Sequence, residues 1–322
     1  MDFNYCMRRK IENVNVMTPI LVPSFSSKGI KHFKMMYNFL VNRLTEASLV
    51  SAYDLYYKFI DAEKIYETEI VFIDSGGYEA IAEHDCSDIY GNEYSPNEWK
   101  LDFYLEQVNK IEPLTNIVLV NYDSQGMSTL EQIEKAKDIF SMFPHYTSDF
   151  LYKPIKDNGL LNINEYLEHI ELVSPFSILG FTEKELGQSV LERCRNIYRI
   201  REALEGAGLD KPIHIFGCLD PLNIIVYFLC GADIFDGLSW LRFSFYNNNP
   251  TYFNSYSISR GFWHLSDVEV KLLSCSENLI TLNELKKKMN HFTKIKDLTL
   301  FNLDKKTNNE ILKLVEKVYK GE

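Results

Sequence analysis

The sequence predicts an α/β fold, a (β/α)₈ TIM barrel with insertions and a short, basic, helical C-terminal extension, on three observations. Short β-branched or apolar runs recur, each followed by a loop with Gly, Asp or Ser and then by a longer amphipathic segment, which is the cadence of βα units. Eight such runs occur along the chain. The length of 322 residues matches one barrel with insertions, and no internal repeat or low-complexity linker divides it.

The strands are expected at 20–22, 49–52, 70–73, 117–120, 150–152, 177–179, 213–216 and 234–235, where Ile, Val, Leu and Phe cluster between turn residues. Amphipathic helical segments fit between them at 30–44, 98–111, 130–140, 163–171, 188–207 and 221–230. Asp220-Pro221 reads as an N-cap followed by a first-turn proline. No G-x-G-x-x-G dinucleotide fingerprint is present, which favours the barrel over an open doubly wound sheet. The barrel is expected to occupy residues 1–265 and the extension 266–322.

Composition narrows the function classes. Apolar residues make up 46% and charged residues 25% of the chain, values that fit a folded globular protein and exclude disorder or coiled coil as the main state. The longest apolar run, 224–232, falls well below the ~20 residues of a membrane span. The charged stretch Met7-Arg8-Arg9-Lys10 leads into no signal-type segment, so no membrane partner and a cytoplasmic location are expected. The six cysteines include no C-x-x-C pair, so reduced thiols are expected. A net charge of −11 argues against nonspecific coating of nucleic acid. The distribution is uneven, because residues 281–322 carry ten Lys against six acids, leaving 24 bases against 39 acids in the remainder. A basic tail of this kind suits either a polyanion or a solvated helical face.

In a barrel the catalytic groups stand at the C-terminal ends of the strands, so the residues closing each run carry the functional signal. Asp74-Ser75-Gly76-Gly77-Tyr78 follows the third run, Asp123 the fourth, and Asp236 the eighth. Gly76 and Gly77 allow positive φ or close approach of the backbone to a flat ligand. Three acids at equivalent positions of the βα cycle could converge on one mouth.

The segments Asp74-Ser75-Gly76-Gly77-Tyr78, Gly217-Cys218-Leu219-Asp220-Pro221 and Asp233-Ile234-Phe235-Asp236-Gly237-Leu238-Ser239-Trp240-Leu241-Arg242 resemble, in order and spacing, signature stretches of the tRNA-guanine transglycosylase superfamily. Thr18-Pro19-Ile20-Leu21-Val22-Pro23 and Leu179-Gly180-Phe181 resemble it more weakly, and the likeness spans about residues 18–245. The resemblance implies that Asp236 attacks the anomeric carbon of a nucleotide and holds the sugar covalently, while Asp74 is the general acid/base for the leaving and entering purine. It implies that Asp123 accepts from the purine N–H edge, that the ring lies between Tyr78 and Phe216, and that the backbone of Gly180 meets the base. Gly76, Gly77, Gly217 and Arg242, inside the same stretches, are placed with the substrate-binding residues.

Departures accompany the likeness. Where relatives carry a C-x-C-x-x-C…H zinc site, only Cys275 and, downstream, His291 remain, so no metal and no cofactor is expected. The end of the fifth strand reads Phe150-Leu151-Tyr152-Lys153-Pro154 where the family commonly has a base-contacting glutamine, and Ser124-Gln125 follows Asp123 in place of an acid and a cysteine. The activity implied is exchange of a guanine in a polynucleotide for a 7-deazaguanine, with DNA favoured over tRNA because the zinc-bearing insertion is missing. The partners implied are guanine or 7-deazaguanine and the nucleic acid, with further protein partners open. Two other readings stand beside it: a hydrolase of free deazaguanine nucleosides, and a noncatalytic subunit of a heteromeric transglycosylase. A Ser-His-Asp hydrolase has little support, and His214, inside a strand, reads as a core residue.

Overall fold

Eight short strands pair in parallel around a barrel in the computed structural model, which describes residues 3–81, 94–155 and 159–321. The strands are β1 Ile20–Pro23, β2 Ala47–Ser51, β3 Ile70–Asp74, β4 Asn116–Val120, β5 Thr147–Tyr152, β6 Ile178–Thr182, β7 Ile213–Phe216 and β8 Ile234–Gly237. Neighbours in sequence are neighbours in space, and β1 pairs with β8 in register Val22↔Asp236. The seam between β1 and β2 is closed just above β1, where Ser24 bridges to Leu49 and the Phe25 N–H donates to the Leu49 carbonyl at 2.9 Å. The chain is a (β/α)₈ TIM barrel, as its βα cadence predicts.

Around the strands run α1 Phe33–Leu40, α2 Ala52–Tyr56, α3 Leu101–Val108, α4 Thr129–Met142, α5 Ile163–Glu168, α6 Val190–Gly206 and α7 Pro221–Leu229. After β8 come α8 Ser239–Arg242, the hairpin β9 Ser244–Tyr246 and β10 Asn249–Thr251, α9 Phe253–Arg260, α10 Asp267–Ile295 and α11 Lys305–Lys320. Asp220 caps α7 as expected, its Oδ1 accepting from the Leu222 and Asn223 amides at 3.1 Å each. The helix expected over 30–44 is shorter, because His32 takes a left-handed conformation before it and the chain tightens into a 3₁₀ turn at Val41–Arg43. The expected strand at 49–52 runs too late: Ala52 already opens α2, capped by the Ser51 side chain.

Alternation along the strands divides the apolar residues into two cores. Ile20, Val22, Leu49, Ile70, Phe72, Val118, Val120, Leu151, Ile178, Phe216 and Ile234 fill the barrel, whereas Leu21, Val50, Val71, Ile73, Leu119, Ile213, Ile215 and Phe235 face the helices. The C-terminal extension joins this outer core through Cys275, Leu279, Leu282, Leu285, Met289 and Phe292 of α10 and Ile311, Val315 and Val318 of α11. Part of its basic charge is met within the chain: Lys286 pairs with Glu46, Lys313 with Glu310 at 2.7 Å and Lys320 with Glu316 at 2.6 Å. The five cysteines among the described residues are unpaired and buried; Cys86 lies outside the described residues. No helix among the described residues is long and apolar enough to cross a membrane.

A buried ion cluster locks the N-terminal segment to the bottom of β8. Arg9 Nη1 lies 2.7 Å from Asp233 Oδ1, Arg201 Nη2 pairs with Asp233 Oδ2, and the Ile213 amide donates to that same oxygen at 2.9 Å. Removing the acid leaves the buried Arg201 guanidinium without a carboxylate, whereas Arg9 keeps Asp210 at 2.9 Å, so Asp233→Ala is expected to lower stability by ~3–5 kcal/mol. Chemical denaturation of the variant tests this, and a loss below 1 kcal/mol would show that the arginines find other partners.

Candidate active site

The C-terminal strand ends open into a cavity of about 470 Å³. Asp74, Asp123, Asp236, Tyr78, Gly77, Phe216, Gly217 and Arg242 all line it. Asp74 is the last residue of β3, Asp236 lies within β8 rather than beyond it, and Asp123 sits in the loop after β4. Gly76 and Gly180, also expected at the site, do not line the cavity but shape it from behind.

Gly76 has φ of 87°, a conformation that places its N–H 3.1 Å from Asp74 Oδ2. Gly77 serves by close approach: a Cβ there would lie 2.5 Å from Asp123 Oδ2. The same turn supplies Ser75, whose hydroxyl donates to Asp123 Oδ1 at 2.7 Å. On the far side of Asp123, Lys153 Nζ lies 3.8 Å from Oδ2 while bonding Glu185 Oε1 at 2.7 Å. Lys153, noticed in the sequence only as a departure, is therefore a buried cation in the cavity wall. Tyr78 is held by two cations: Arg242 Nη2 donates to its hydroxyl at 2.7 Å, and Lys28 Nζ sits 4.4 Å from its ring centre while donating to its carbonyl at 2.9 Å.

The two acids assigned to chemistry lie in different environments. Asp236 Oδ2 accepts from the Ser24 hydroxyl at 2.7 Å and Oδ1 from the Gly217 N–H at 3.1 Å. Gly217 reaches this pose with φ of 77°. Asp74 has the opposite surroundings. Burial pushes its pKa up, as do Asp123 and Glu79 nearby, and despite the Gly76 N–H it reaches about 8. Glu79, which also lines the cavity, is likewise raised by burial beside Asp54. One carboxyl is thus kept as the acid at neutral pH while another is furnished with hydrogen-bond donors, the separation that acid and nucleophile roles require.

Two residues of this region were absent from the candidates. Asp149 of β5 and His214 of β7 are fully buried in the barrel, 2.6 Å apart from Oδ2 to Nδ1, and His214 Nε2 lies 3.3 Å from Asp236 Oδ1. His214 is therefore not only a core residue. Burial alone would lower its pKa, but Asp149 and Asp236 outweigh burial and lift it to about 9. Gly180 explains how the pair forms. It sits on β6 between them, and a Cβ at this position would lie 3.0 Å from Asp149 Oδ1 and 2.5 Å from the Phe216 ring.

Among the described residues, no group of three or more His, Cys, Asp or Glu could hold a metal ion. Cys275 and His291 both lie on α10, sixteen residues apart in the sequence and hence roughly 24 Å along one helix, so they cannot share a tetrahedral ion. Purified protein is expected to contain less than one zinc per ten chains and to keep its melting temperature in chelator; elemental analysis giving one zinc per chain would contradict this. Asp123 offers a second test. Asp123→Ala leaves Lys153 its bond to Glu185 but removes the acceptor expected for a purine N–H edge, and calorimetry with a 7-deazaguanine is expected to show binding weakened by ~1–3 kcal/mol with the fold intact.

No protein-family profile matches the chain, and no match is found among curated protein sequences.

Proposed function

We propose that the protein is a base-exchange transglycosylase that replaces a guanine in a polynucleotide, DNA in preference to tRNA, with a 7-deazaguanine. The observation that carries this reading is the pairing, in one cavity, of a carboxylate supplied with donors, Asp236, and a carboxylic acid held near a pKa of 8, Asp74. Asp123 beside Lys153, with Tyr78 and Phe216, supplies the polar edge and aromatic surfaces that a purine needs.

In the first step an Asp236 oxygen forms a bond to C1′ of the nucleotide as the C1′–N9 bond breaks. The electron pair leaves with the purine, which takes the Asp74 proton. In the second step the incoming base returns a proton from its N9–H to Asp74, its nitrogen bonds C1′, and the Asp236 ester opens to the carboxylate. Charge on Asp236 stabilises the oxocarbenium character of both transition states, as in retaining glycosidases. The target nucleotide must leave its stack to reach the cavity.

The test is incubation with a labelled 7-deazaguanine and either DNA or tRNA, followed by digestion and identification of the nucleosides. Label in deoxynucleosides is the expected result; label in ribonucleosides alone moves the substrate to RNA. Incorporation into neither polymer, with release of base from free nucleosides, would replace transfer with hydrolysis.

A further inference from the structure

We infer that Asp149 and His214 form a positioning relay for Asp236, in which the imidazole, anchored by Asp149 across the gap left by Gly180, sets its Nε2 beside Asp236 Oδ1 and holds that carboxylate turned toward the cavity. The inference rests on the reading of Asp236 as nucleophile, and it adds two residues that do not touch the base or sugar.

The placement is unusual for the surroundings. Three strands, β5, β7 and β8, send a carboxylate, an imidazole and a second carboxylate into a barrel interior whose apolar filling is Ile, Val, Leu, Phe and Ala. Burying such groups gives no stability over apolar side chains of similar volume, so stability offers no reason for them here. The line of contacts has a direction. It starts at Asp149, which has 0% side-chain exposure, passes through His214, also at 0%, and ends at Asp236 on the cavity wall.

The groups facing the relay are few. Asp149 and Asp236 are the charged partners of the imidazole, and the Phe72 and Phe216 rings pack on it at 5.3 and 3.9 Å. Asp236 meets the Ser24 hydroxyl and the Gly217 N–H, with Asp74 and Cys218 near enough to feel its charge. Two carboxylates and one imidazolium leave one net negative charge on the relay. When an Asp236 oxygen bonds to C1′ the negative charge passes to Asp74, which has given its proton to the purine, and Asp149 with His214 remains neutral as a pair. The covalent intermediate therefore leaves no uncompensated charge on the relay.

The deciding experiment follows the His214 imidazole by nuclear magnetic resonance in the full chain, assigned through its contacts with the Phe72 and Phe216 ring protons. The ring is expected to stay doubly protonated through pH 7.5 (about one unit above an unperturbed histidine), and Asp236→Asn is expected to lower its titration midpoint by ~1–3 pH units. A neutral imidazole at pH 7, or one midpoint shared by both proteins, would overturn the relay. In parallel, His214→Gln keeps a neutral donor in place. It is expected to move the acidic limb of covalent adduct formation upward by about one pH unit or more, and to lower the melting temperature because the buried Asp149 loses its cation, so the limb is recorded well below the variant's melting temperature. An unmoved limb would reduce His214 to a packing role. If no adduct forms even in the parent protein, the exchange reaction fails, while the resonance titration still decides the relay.

Discussion

Asp236→Asn is expected to abolish base exchange, by ~10⁴-fold or more, and to eliminate the covalent protein–sugar species altogether. An amide neither attacks C1′ nor stabilises the charge that develops there. The fold should survive, because the amide oxygen can keep the bond from the Gly217 N–H while its NH2 donates to the Ser24 hydroxyl oxygen in place of the bond it loses. Denaturing gels of protein with labelled polynucleotide and a slowly resolving acceptor base would show the adduct in the parent protein, and mass spectrometry would place it on Asp236. An adduct that persists in the variant, or one mapped to Asp74, would reverse the two roles.

The second large effect concerns Asp74 and is readable in pH. In the proposed mechanism expulsion of the purine needs the protonated acid, and burial beside Asp123 and Glu79, which raises its pKa to about 8, keeps it protonated at neutral pH. Single-turnover adduct formation is therefore expected to be level on the basic side up to about pH 8 and to fall about tenfold per unit above it. Asp74→Asn should slow the step by ~10²–10⁴-fold and remove that basic limb. Stability should move the other way. The folded state holds this proton up to about pH 8, whereas the unfolded chain loses it near the ordinary value of 3.8, so the carboxyl's contribution declines as pH rises between those values. Relative to the parent, the asparagine variant is expected to gain melting temperature from pH 5 to pH 8 and then to level off. A basic limb that persists in Asp74→Asn would assign the titration to another group.

These two acids were legible in the sequence because a βα barrel brings every strand end to one face, so position in the cycle stands in for position in space. Asp123 is visible by the same logic, and Gly77 by its adjacency to Asp74, where the structure adds that a Cβ would meet Asp123. Asp149 escaped because Thr147-Ser148-Asp149 is too polar to read as buried strand, and the expected start at residue 150 excluded it. His214 was visible as a residue but not as a partner, since the acid that binds it is far away in the chain and a third strand lies between them. The short helix α2 was hidden by Ala52, which fits a strand end as readily as a helix start. The separation of Cys275 from His291 becomes measurable only once both are known to share one unbroken helix.

Gly180 carries a consequence for how this protein can change over time. A methyl group at that position would lie 2.5 Å from the Phe216 ring and 3.0 Å from Asp149 Oδ1, so a substitution there requires both side chains to shift. Residues 149, 180 and 216 are thereby coupled, and a larger residue at 180 is expected to be accepted more readily when 149 and 216 are made smaller. A combinatorial library at these three sites should return larger residues at 180 mainly in such linked sets.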